Sequence, residues 1–178
     1  MIAFNFEGKK IEVATKWEEV TVGHYINPHF LSGNAIQLLA ALAEIDPLLL
    51  ANAKKDYSKH FSKVVNFINK DPLGWKRGGT EQLTVMGKTC LIPKDLESQT
   101  FGQKIMFGQI LSKTTFHYAV IPEAVAIYIA PQLYPKNWYE KIDEIAAEIK
   151  DLPIRDVNNI ADFFLSNTLQ YRRGGLKN

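Results

Sequence analysis

Hydrophobic and polar positions change period several times along this chain. Between Ala3 and Val13, Phe4 and Phe6, then Ile11 and Val13, alternate with polar neighbours. A period of two predicts two strands, and Glu7-Gly8-Lys9 predicts the turn between them, because glycine takes positive φ without steric cost. Trp17–Tyr25 then starts a short helix with Thr21 as its N-cap. Asn34 caps a second helix running to Ile45. Its apolar residues (Ile36, Leu38, Leu39, Ala40, Ala41, Leu42, Ala43, Ile45) go nearly all the way round, which predicts burial on most sides or a place in an interface. Asp46-Pro47 interrupts it, since proline disfavours helix in the residue before it. A third helix, Ala51–Asn69, is amphipathic, with Tyr57, Phe61, Val64 and Ile68 on one face.

The pattern then returns. Leu83–Ile92 predicts a second hairpin turning at Met86-Gly87-Lys88. Gln99-Thr100-Phe101-Gly102 starts a helix to about Ser112, and an apolar helix runs from Ala119 to Ala130 and stops at Pro131. An amphipathic helix follows over Asn137–Lys150, with Trp138, Ile142, Ile145 and Ile149 on one face. A last helix spans Pro153 to about Tyr171, where proline suits the first turn and Gly174-Gly175 the end.

The two halves align. A displacement of 79 residues places Gly8-Lys9 on Gly87-Lys88, Ile11 on Cys90, Val13 on Ile92, Thr21 on Thr100 and Gly23 on Gly102. A displacement of 81 places Tyr57, Phe61, Val64 and Ile68 on Trp138, Ile142, Ile145 and Ile149. The physical reading is a duplicated unit of hairpin, short helix, apolar helix and amphipathic helix, in which helices cover a hairpin that is marginal alone. The predicted class is mainly α with two small β-hairpins (α+β). The units are expected at 1–79 and 80–152, with a closing helix and basic tail at 153–178, or merged into one compact domain.

Composition changes this picture little. The chain has 178 residues, 46% of them apolar, and a formal net charge of +2, which suits a globular protein rather than a disordered one. Cys90 is the single cysteine, and its apolar alternating surroundings predict a packed thiol. The first residues lack a basic stretch followed by an apolar one, so no secretory signal is read there. The apolar-rich run Ala35–Ile45 falls far short of the ~20 residues that span a bilayer. A cytosolic chain with no membrane partner is the expectation.

Candidate chemistry is sparse. His24 and His29 stand five apart, without a cysteine or a His-Glu-x-x-His pattern, so no metal site is expected. Ser32-Gly33 reads as a turn rather than a presented nucleophile. Gly87-Lys88-Thr89 lies in a hairpin turn and lacks the upstream glycine of a phosphate loop. The acidic residues Asp143, Glu144, Glu148 and Asp151 read as a solvated helix face. No catalytic residue, cofactor or enzyme activity is expected. Lys55, Lys59 and Lys63 recur every four residues and so line one ridge of the third helix. That ridge could contact a polyanion or an acidic partner, including a second copy of the chain. Nucleic acid is disfavoured, because no aromatic reader pattern accompanies the ridge and the chain has four arginines.

The run Trp17-Glu18-Glu19-Val20-Thr21-Val22-Gly23-His24-Tyr25, followed by an apolar helix ending near Asp46-Pro47, resembles small morphogenesis proteins of tailed bacteriophages. Thr100-Phe101-Gly102-Gln103 and Ala161-Asp162-Phe163-Phe164 add to the likeness. Those proteins include tail assembly chaperones and minor virion proteins. The hairpins depart from the simplest all-helical chaperone pattern. The resemblance implies a non-enzymatic assembly protein that coats apolar segments of a tape-measure-type partner. A structural neck or tail subunit is the alternative, and a small nucleic-acid-binding protein the third reading. An apolar helix can present a groove for amphipathic partner helices. Trp17, Tyr25, Leu38, Leu39 and Leu42 are expected in or beneath that groove.

Overall fold

The computed structural model describes residues 1–30, 34–57, 62, 64, 66–68, 82–92, 99–113, 117–158 and 160. Strands β1 (Ile2–Phe6) and β2 (Lys9–Val13) pair antiparallel, with Phe4 opposite Ile11. Strands β3 (Gln82–Val85) and β4 (Lys88–Leu91) pair likewise, with Leu83 opposite Cys90. The helices are α1 (Val22–Ile26), α2 (Ala35–Ala43), α3 (Pro47–Ala51), α4 (Phe101–Lys113), α5 (Ile121–Leu133) and α6 (Ile142–Asp151). Residues 62, 64, 66–68, 154–158 and 160 are also helical. Among the described residues the fold is therefore mainly helical, with two small antiparallel hairpins, an α+β arrangement.

Both hairpins turn in the same way. Glu7 and Gly8 have φ of 48° and 87°, and Met86 and Gly87 have φ of 53° and 71°. Positive φ at both central residues gives the turn whose twist matches that of the flanking strands. In each turn glycine takes the second position, and the non-glycine residue before it accepts the left-handed conformation. The Asn5 Oδ1 accepts from the Gly8 N–H at 2.8 Å and pins the first turn.

The chain falls into two compact units, Met1–Lys76 with Pro153–Arg155, and Arg77–Leu152 with Asp156–Asn178. In the first, Phe4, Phe6, Ile11 and Val13 are buried on one face of the hairpin, and the Tyr57 ring lies 5.6 Å from Phe4 and 5.2 Å from Phe6. Burial of that apolar face is what makes a two-stranded hairpin stable. The return segment Pro153–Arg155 joins this unit through main chain. Pro153 pairs antiparallel with Thr21, and the Ile154 N–H donates to the Val20 carbonyl at 2.8 Å.

In the second unit α5 is buried along most of its length, from Ile121 to Leu133, and packs along α6, whose Ile142, Ile145 and Ile149 are buried. The expected stop at Pro131 is corrected, because α5 runs through it to Leu133. Proline offers no N–H to the carbonyl one turn back, that of Ile127. The buried Gln103 side chain fills the gap: its Nε2 donates to the Ile127 carbonyl at 2.9 Å and to that of Tyr128 at 3.3 Å. Once those carbonyls are satisfied, the helix continues past a residue that usually ends it.

Two other expectations are revised. The helix read over Ala51–Asn69 is broken, because α3 ends at Ala51 and residues 53–57 are not helical. Asp46-Pro47 does more than interrupt. Asp46 accepts from the Leu48 N–H at 2.8 Å, and Pro47 takes the first turn of a new helix. The final helix is seen over 154–158 and at 160, with Ile154, Val157 and Ile160 buried. The rest of its expected span, including Ala161–Phe164, lies outside the described residues.

Candidate partner-binding surface

The surface is built on α2 and α3. The Asn34 Oδ1 accepts from the N–H groups of Ile36 and Gln37, so the expected cap starts α2. Glu44 ends it in the left-handed conformation, with its N–H bonded to the Ala40 and Ala41 carbonyls. Inside α2, Leu39, Ala40, Ala41, Leu42 and Ala43 are buried, whereas Leu38 is half-buried and Ile36 is 43% exposed. Helix α3 then carries three leucines in succession. Only Leu50 turns inward, and Leu48 and Leu49 are 69% and 54% exposed.

The five residues expected in or beneath a groove thus separate by depth. Leu39 and Leu42 are buried core, Leu42 fully so. Leu38 reaches the surface in part. Trp17 and Tyr25 are half-buried and meet at Phe30. Trp17 stands edge-on to Phe30 at 6.0 Å and to Phe67 at 5.7 Å, and Tyr25 lies 5.7 Å from Phe30. This aromatic cluster buries large side chains in favoured tilted geometries. Sequence reasoning passed over Leu48 and Leu49. The signal was there: three consecutive leucines on a helix of five residues cannot share one buried face.

The lysine ridge is corrected at its first member. Lys55 lies in the non-helical stretch after α3, so it is not one turn from Lys59 on a common helix. Its Nζ stands 5.7 Å from the Tyr57 ring centroid. Lys59 and Lys63 lie outside the described residues.

His24 and Cys90 are both shifted by burial. The Thr21 hydroxyl accepts from the His24 N–H at 3.2 Å, and His24 Nδ1 accepts from the Thr21 N–H at 3.1 Å, a reciprocal cap on α1. His24 Nε2 faces the Glu44 carboxylate at 3.4 Å. Burial lowers the affinity of this ring for a proton, and the nearby Glu44 carboxylate opposes that only in part, so His24 titrates below its ordinary range. Burial likewise raises Cys90, whose thiol donates to the Leu83 carbonyl at 3.1 Å. That makes Cys90 a packed thiol rather than a ready nucleophile.

Among the described residues no three His, Cys, Asp or Glu side chains converge as metal ligands. No described helix is long and apolar enough to cross a membrane. No protein-family model, curated protein or solved structure matches this chain.

Proposed function

We propose that this chain is a non-enzymatic assembly protein of the tailed-phage kind, which holds apolar helical segments of a tape-measure-type partner on the α2–α3 surface. The observation that carries this reading is the exposure of Leu48 and Leu49, with Ile36 and the partly exposed Leu38 on the preceding helix. Leaving them in water forgoes roughly 25 cal/mol per Å² of apolar area that a partner would cover. A partner helix with apolar residues on one stripe matches that chemistry. The resemblance of Trp17–Tyr25 to phage morphogenesis proteins supplies the kind of partner.

The test is capture from infected or co-expressing cells. The chain should retain a long helical structural protein, and Leu48→Glu with Leu49→Glu should release it while leaving the thermal transition in place. Retention by the double variant would overturn the reading. So would stoichiometric recovery of the chain from purified particles, which would assign it to the structural alternative.

A further inference from the structure

His24 does not cap α1 in the usual way. The side chain that accepts the Thr21 N–H is an imidazole, and the accepting atom is Nδ1, a position where a proton binds. One lone pair cannot both accept an N–H and hold a proton. The cap also lies beside the return segment, because Pro153 pairs with Thr21 and the Ile154 N–H bonds to the Val20 carbonyl next to it.

We propose that the Thr21–His24 cap is an acid-sensitive latch: a proton taken from solvent onto His24 Nδ1 breaks its hydrogen bond with the Thr21 N–H and loosens the first turn of α1 together with the paired Pro153–Ile154 segment.

In the latched state Nδ1 is unprotonated, so Nε2 carries the hydrogen and points it at Glu44. Among the described residues Glu44, at the end of α2, is the charged group acting on the ring. On its other side the ring meets the Thr21 main chain, and the return segment's Arg155 faces Glu18 at 3.8 Å. Glu44 keeps its contact in either state, since Nε2 donates whether or not Nδ1 is protonated. Only the bond to Thr21 is lost.

The folded ring binds protons less readily than a free histidine, whose midpoint is about 6.5. The cap's contribution is therefore complete above about pH 6.5. It declines as pH falls through the lowered midpoint of the folded ring. The second unit holds a control with the same hydrogen bonds and no titration. There Gln103 Oε1 accepts from the Thr100 N–H at 2.9 Å, and the Thr100 hydroxyl accepts from the Gln103 N–H at 3.3 Å.

Amide hydrogen exchange on the full chain, corrected for intrinsic rates, tests this. Between about pH 7.5 and about pH 5, protection at Thr21 and Ile154 should fall about tenfold or more, while Thr100 and Gln103 keep theirs. His24→Gln, which installs the second unit's cap in the first, should abolish the fall. Glu44→Gln should move its midpoint to lower pH, since the carboxylate favours the protonated ring. Flat protection at Thr21 and Ile154 in the unmodified chain overturns the latch. So does an undiminished fall in His24→Gln, or a midpoint that stays or rises in Glu44→Gln.

Discussion

The turns and caps at Gly8–Thr21 and Gly87–Thr100 are the same device set in different surroundings. Each hairpin pairs in the same register, turns through a dipeptide with positive φ at both residues and glycine second, and is followed by a threonine cap reciprocated three residues on. The residue that reciprocates differs. His24 serves the cap and faces one surface carboxylate, whereas Gln103 serves the cap and also satisfies two carbonyls of α5. The first helical residue differs too, with Val22 fully buried and Phe101 78% exposed. The hydrogen-bond geometry of a cap is set by local sequence, but its weight in the fold is set by what its other atoms reach.

The comparison can be strained at several points. The largest effect is expected at Gln103. Gln103→Leu should cost about 2–4 kcal/mol in denaturant unfolding, because it removes the acceptor of the Thr100 N–H and leaves buried carbonyls of α5 unsatisfied. Pro131→Ala added to it restores an N–H to α5 and should recover a large part of the loss. Additive effects would show that the two residues do not cooperate. Next come the turns. Gly8→Ala and Gly87→Ala should each cost about 1–2 kcal/mol through backbone strain, since nothing lies within 4 Å of either new Cβ. Unequal costs in the two turns would break the equivalence of the hairpins. The smallest effect belongs to the caps alone. Thr21→Ala and Thr100→Ala should each cost about 1 kcal/mol near neutral pH. As pH falls, the cost should shrink for Thr21→Ala and hold for Thr100→Ala, as parallel melts would register.

Both hairpins, the caps at Thr21 and Asn34 and the helix start at Thr100 were legible in the sequence, because alternation, a glycine turn and a small polar residue before an apolar run are local signals. The path of α5 was not. Pro131 reads as a stop until Gln103, far back in the chain, is known to reach its vacated carbonyl. The break after Ala51 was hidden for a related reason. Tyr57 fits the helical spacing of Phe61, Val64 and Ile68, yet its ring is used against Phe4 and Phe6 of the first hairpin. At the candidate surface, apolar character alone could not separate Leu39 and Leu42, which are core, from Leu48 and Leu49, which face solvent. Depth depends on which elements pack above a residue, and the run of letters does not carry that information.

The second hairpin has one further fitting, at its outer strand. The Gln132 side chain pairs with Leu91 as another strand would. Its Oε1 accepts from the Leu91 N–H at 3.0 Å and its Nε2 donates to the Leu91 carbonyl at 2.9 Å. An open strand edge recruits strands from other molecules, and Leu91 is itself exposed and apolar. A single amide carried by α5 occupies both main-chain groups that Leu91 would offer to an added strand, and it does so from the surface, without any role in the buried core.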